Sequence, residues 1–221
     1  KWVYAFAEGD GRNKQLLGGK GANLCEMTRI GLNVPPGFVI TTEACLACLA
    51  TPERNLPEGV MAQVRVQMAA LEAALLRDPD NANLQLKFGV ECGLINRVDE
   101  AEQAFRKVLD LDPTVVDAYV GLTVQFEHSN REEEFAPLIA RAEAHGIDEG
   151  TLAFMRAFEF RRAKRFDEAL ASLALVPPDL QRERTTHLRG QILDRLGRVD
   201  EAFADVEELE AQAPSTRARY D

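Results

Sequence analysis

Residues 89–113, GVECGLINRVDEAEQAFRKVLDLDP, decide the fold. Within them Gly89, Ala101 and Pro113 are spaced by 12 and 12, and Gly190, Ala202 and Pro214 repeat that spacing further on. Asp78-Pro79 recurs as Asp112-Pro113 after 34 residues. A looser copy sets Ala157 and Ala169 12 apart and ends early at Val176-Pro177-Pro178. The residue types have a steric reason. Antiparallel helices cross closely only where side chains are small, which selects Gly or Ala at the contact, and proline then stops the second helix. Around these anchors Ala101, Phe105, Val108 and Leu109 recur at helical spacing, as do Ala202, Phe203, Val206 and Leu209, so each second helix is expected to carry one apolar stripe. Asn96-Arg97-Val98-Asp99-Glu100-Ala101 and Gly197-Arg198-Val199-Asp200-Glu201-Ala202 each place acidic residues at a helix start, where they favour free backbone amides.

Residues 118–147 form the least regular unit, with Gly121 near the first crossing, Phe135, Ile139 and Ala142 along the second helix, and Pro137 in a first turn, where proline is tolerated. The reading is a partial unit ending near Pro79 followed by four hairpins. Each hairpin leaves a face open until a neighbour covers it, which predicts a right-handed superhelix with a concave groove. Over about residues 73–214 the chain resembles the tetratricopeptide repeat family. That resemblance implies a protein or peptide partner held in the groove. Gln85, Cys92 and Leu193 occupy first-helix positions that the family fills with large aromatics, so no ligand residue is carried over. The run from His187 to Arg198 also looks like repeats that precede a sulfotransferase domain in some bacterial proteins.

The chain has 221 residues, 46% hydrophobic and 28% charged, enough to bury a real core. Residues 1–70 hold seven Lys/Arg and six Asp/Glu, whereas residues 71–221 hold 19 and 30, so charge changes from about +1 to −11 along the chain. The asymmetry points to two parts of different origin, a chimera, and the acidic part argues against nucleic acid. Arg161, Arg162, Lys164 and Arg165 make one basic spot, read as a solvated helix face. No apolar run is long enough for a membrane span and no secretory leader opens the chain, so a cytoplasmic location is expected. Cys25, Cys45, Cys48 and Cys92 are expected as free, buried thiols. Cys45-Leu46-Ala47-Cys48 has metal-site spacing, but His128, His145 and His187 supply no second ligand pair, so no metal site is assigned.

The first 72 residues read differently. Residues 2–6 are a short strand, residues 22–30 a helix, and Pro35-Pro36-Gly37 leads into a strand at 38–41. Between them, Leu17-Gly18-Gly19-Lys20-Gly21-Ala22 reads as a loop whose bare amides and one cation open a helix and suit phosphate. It is not a Walker loop, since Lys14 stands in place of the first glycine and Gly21 in place of the metal-binding hydroxyl. Residues 17–27, Gly31-Leu32, Val34-Pro35-Pro36-Gly37-Phe38 and Thr41-Thr42-Glu43-Ala44-Cys45 resemble the N-terminus of pyruvate phosphate dikinase, more faintly to about Leu71. The resemblance implies an ATP-grasp-like segment in which Lys20 contacts ATP phosphates, with magnesium as the accompanying ion, and Gly18, Gly19 and Gly21 join it as the bare amides of the loop. Thr185-Thr186-His187 is the nearest approach to that family's phosphohistidine motif, and it is read as part of a repeat helix. The expected organisation is a mainly α protein: residues 1–72 a short α/β nucleotide-binding-like segment, 73–216 the helical repeats, and 217–221 a tail. The expected function is a scaffold that binds protein or peptide and is not itself a catalyst. The alternative is an incomplete, inactive ATP-binding fragment of a dikinase-like phosphotransferase.

Overall fold

The computed structural model describes residues 1–32, 34, 36–177 and 182–212, with the side chains of 182–184, 206 and 208–212 outside that description. Pro35, Pro178, Pro214, the 217–221 tail, and the stripe positions Val206 and Leu209 therefore lie outside the described residues or side chains. The elements are β1 (Val3–Ala5), α1 (Lys14–Arg29), β2 (Phe38–Ile40), α2 (Thr42–Leu49), α3 (Val60–Arg77), α4 (Ala82–Leu94), α5 (Val98–Leu111), α6 (Val116–Ser129), α7 (Phe135–Ala144), α8 (Glu149–Arg162), α9 (Phe166–Leu173), α10 (Arg182–Arg195) and α11 (Val199–Gln212), with a 3-10 turn at Glu132–Glu134 before α7. The protein is mainly α. Among the described residues its sheet is one antiparallel pair, with Val3, Tyr4 and Ala5 opposite Ile40, Val39 and Phe38.

The chain divides into two compact units, Lys1–Leu111 and Asp112–Asp221. This is a different partition from the compositional one, because the hairpin α4–α5 belongs with the N-terminal elements. In the first unit, Phe6, Leu17, Ala22 and Cys25 form a small core with Tyr4, Leu24 and Val39 packed beside it. In α5, Ala101, Phe105, Val108 and Leu109 are buried in one stripe, as the periodicity predicts. The crossing with α4 is tight: a Cβ on Gly89 would lie 2.8 Å from Cε1 of Phe105. In the second unit, Ala157 and Ala169 are fully buried in α8 and α9.

The hairpins close in one repeated way. Asn96, Asn130, Lys164 and Gly197 all have left-handed backbone, with φ of 62°, 55°, 60° and 72°. The arginine after each donates its amide to the carbonyl five residues back: Arg97 to Cys92 (2.8 Å), Arg131 to Phe126 (3.1 Å), Arg165 to Phe160 (2.8 Å) and Arg198 to Leu193 (2.8 Å). This is the Schellman closure, which satisfies carbonyls that a helix end leaves without partners. The four arginines are spaced by 34, 34 and 33 residues. Such arginines also grip the first turn of the next helix, as Arg97 does with Glu100, Arg165 with Glu168 and Arg198 with Glu201.

This register revises some expectations. Counting 34 from Gly89 reaches Thr123, not Gly121, and Thr123 is fully buried with its hydroxyl donating to the Tyr119 carbonyl at 2.9 Å. At Gly190 a Cβ has no neighbour within 4 Å among the described residues, and the counterpart of Phe105 there is Val206, whose side chain is not described. Phe203, expected in the apolar stripe of α11, is 67% exposed. It follows the register of Glu102 rather than Phe105, one residue beyond the inward-facing alanine.

Candidate functional site

The glycine stretch is not an open loop, because it lies within α1. Asn13 caps that helix, its side chain accepting the Leu16 amide at 3.0 Å. At Gly18 the backbone leaves helical geometry (φ 68°, ψ 167°) and the helix restarts. Only glycine takes that conformation without steric cost. The Thr42 hydroxyl, at the start of α2, donates to the Gln15 carbonyl at 2.6 Å, partnering a group beside the kink. Amides at a helix start have no intrahelical acceptor, so the restart offers donors near Gly19 and Lys20. Lys20 is exposed. A Cβ on Gly18 or Gly19 would meet nothing within 4 Å, leaving the backbone open to approach. Gly21 differs: its Cβ would sit 2.8 Å from both γ-methyls of Val39, so it is a packing contact between α1 and β2. Gly18, Gly19 and Lys20 thus share an open backbone ridge, while Gly21 faces the sheet.

These residues fit a phosphate group. No group of three or more His, Cys, Asp or Glu side chains able to hold a metal ion occurs among the described residues. A cavity of about 230 Å³ lies elsewhere in the first unit, lined by Ala5, Phe6, Val34, Pro36, Gln67 and Leu71 among others. The glycine stretch does not line it.

The remaining candidates are placed as follows. Cys25 and Cys92 are buried, and burial pushes the Cys92 thiol up to about 12. Cys45 is exposed and Cys48 half-buried, its thiol donating to the Arg54 carbonyl at 2.8 Å, which overturns the expectation that all the thiols are buried. The basic spot in the second unit is paired with carboxylates. Arg161 binds Glu127, Arg162 binds Glu132 (2.9 Å) and the Asn130 amide oxygen (2.9 Å), and Arg165 binds Glu168. Glu127 and Arg161 are 34 residues apart, one on α6 and one on α8, so this pair ties successive first helices. His187 lies exposed on α10 within 2.8 Å of the Gln191 side chain. The sequence motifs did not reveal the turn arginines; their 34-residue spacing was the available signal.

The α8 helix is buried along residues 150–155, 157 and 158, which leaves Arg156, Glu159 and Phe160 as its half-exposed positions before the paired arginines. No described helix is long and apolar enough to cross a membrane.

The fold is that of helical hairpin arrays. It superposes on a thermophilic TPR protein of Thermus thermophilus with a TM-score of 0.59 and 18% identity, covering 72% of this chain and 90% of that one. A tetratricopeptide repeat protein from Parabacteroides merdae gives 0.58 and 11%, covering 71% and 61%. The N-terminal part has a separate likeness. Residues 14–111 match the model of the pyruvate phosphate dikinase AMP/ATP-binding domain, and the match ends where the first compact unit ends. Pyruvate, phosphate dikinase of Entamoeba histolytica is 59% identical over 70 residues, 32% of this chain and 8% of that protein. The enzyme of Rhizobium meliloti is 43% identical over 97 residues, 42% of this chain and 11% of that protein. The chain therefore spans about a tenth of the length of these relatives.

Proposed function

We propose that the protein is a binding scaffold whose helical hairpins hold a protein or peptide partner, in the cytoplasm. The observation that supports this reading is the closure repeated at Arg97, Arg131, Arg165 and Arg198, one hairpin to each period. Stacks of this kind expose long, regular surfaces that suit extended partners. First helices supply the contact positions in this reading: on α8, Glu159 and Phe160 are half-exposed. Free thiols in Cys25, Cys45, Cys48 and Cys92 suit a reducing compartment. Peptides selected by display against the full chain test the proposal. At least one should bind saturably at one to one, and Glu159→Lys or Phe160→Asp should weaken it by about tenfold or more, as loss of a central contact does. Lys20→Ala should leave it unchanged. Absence of any saturable binder, or indifference to both first-helix changes, overturns the proposal.

A second reading, weak nucleotide binding at Gly18, Gly19 and Lys20, is favoured by one observation. Gly19 has open space around it and no positive φ, so packing and backbone strain give no reason for glycine there. Close approach of a phosphate would supply one. An ATP-dependent rise in melting temperature that vanishes in Lys20→Ala supports this reading by mass action, and no shift in the native chain removes it.

A further inference from the structure

The resemblance read from the sequence fades near Leu71, yet α3 runs through that point from Val60 to Arg77. A helix of 18 residues is about 27 Å of continuous rod. Its buried residues Val60, Val64, Met68 and Leu71 follow one face. Toward its start, the Gln63 side-chain oxygen accepts the amides of Trp2 (2.9 Å) and Val3 (3.1 Å), holding β1. Toward its end, Glu72 binds Arg97 at 2.7 Å, the same arginine that closes the α4–α5 hairpin. The α3 helix packs on both β1 and α4.

A second bridge bypasses α3. Lys87 of α4 pairs with the buried Glu91 and lies 5.4 Å from the centre of the Phe6 ring. Phe6 follows β1 and is 5% exposed, and its amide donates to the Gly37 carbonyl at 2.9 Å. A Cβ on Gly37 would fall 2.5 Å from Cε2 of Phe6 and 2.7 Å from Cε of Lys87, so glycine permits the three groups to meet. The repeat register agrees. The last residue of α3, Arg77, stands 34 before the last residue of α5, Leu111, and the buried Leu71 stands 34 before Phe105.

We infer that residues 1–71 serve this chain as the N-terminal cap of the first hairpin: α3 takes the place of a preceding second helix, and the β1–β2–α1 head covers it where a further first helix would lie. Repeat arrays need such a terminus, because an uncovered end exposes the apolar face that neighbours bury elsewhere. Residues 1–71 thereby have a packing role that does not require nucleotide, beyond the scaffold reading of the repeats. A head that caps must open together with what it caps, whereas a head that is an independent domain opens alone.

Hydrogen exchange on the full chain distinguishes the two. In Phe6→Leu and Lys87→Met, amides of β1–β2 and of α4–α5 should both exchange faster, by a shared factor of about ten or more. In the reverse direction, Phe105→Leu should raise exchange in β1–β2 by the factor it produces in α5. Faster exchange confined to β1–β2 in the first two variants, or confined to α4–α5 in the third, overturns the inference. Should Phe6→Leu fail to fold, Gln63→Ala gives the same reading from the β1 side.

Discussion

Lys164 carries a long side chain in the left-handed backbone that its counterparts Asn96, Asn130 and Gly197 adopt more readily. For an ordinary L-residue that conformation costs about 1–2 kcal/mol, and asparagine relieves part of it. Lys164→Asn should therefore raise stability by about 0.5–1 kcal/mol in urea denaturation, and an unchanged or lower midpoint would contradict the turn geometry. Cys92 has an effect of opposite sign. Burial holds its thiol neutral up to about 12, against an ordinary value of 9.0. Below pH 9 the native and unfolded thiols are both protonated; between 9 and 12 the unfolded one loses its proton while the native one keeps it. Stability should fall with rising pH across that window, and Cys92→Ala should show a shallower alkaline decline in melting temperature. Apolar spacing alone did not separate this thiol from Cys45. In α2 only Ala44 is buried, so the helix presents Cys45, Leu46 and Leu49 to solvent although the run reads as core. Hydrophobic residues mark where burial is affordable to the chain, and only a covering layer makes it happen.

At the scale of the element, the hairpin crossing is the feature that the sequence made most legible. Gly89 opposite Phe105 is close enough that a methyl must displace a ring that is 2% exposed. Overpacking of this kind costs about 1–3 kcal/mol. Alanine returns about 1 kcal/mol of helix propensity, so Gly89→Ala should still lower the denaturation midpoint. A rise would show that α4 and α5 do not meet there. Legibility failed where one residue type has several uses. Gly121 was placed at a crossing because it is small, but the 34-residue register puts Thr123 there, its hydroxyl bonded within its own helix. Gly18 to Gly21 read as a loop because glycines break helices; in the structure the backbone breaks at Gly18 and helix continues on either side. The turns were missed because an asparagine or lysine in left-handed backbone has no signature as plain as glycine's. Only the recurrence of the following arginine exposes them.

For the molecule as a whole, the two likenesses make different demands. Phosphoryl transfer of the dikinase kind requires opposing cations and metal-held phosphates around the transferred group. On this chain Lys20 stands exposed beside an open backbone ridge, and no metal-holding cluster occurs among the described residues. His187, the nearest match to a phosphohistidine, lies on α10 next to the buried Leu188. Purified protein given ATP, pyruvate, phosphate and magnesium should form phosphoenolpyruvate no faster than Lys20→Ala. Turnover above background that the substitution abolishes would reverse this reading. The scaffold makes a lighter demand, since it needs regular hairpins and a closed end. The identical closure at Arg97, Arg131, Arg165 and Arg198 also bears on how such a chain can lengthen. Cutting and rejoining two gene copies at any two of these arginines adds or removes whole hairpins while leaving every turn intact. The Glu127–Arg161 tie, one period long, survives wherever the joint leaves those two residues on the same copy. Length is then the property most open to inherited change, and the turns set the unit in which it is counted.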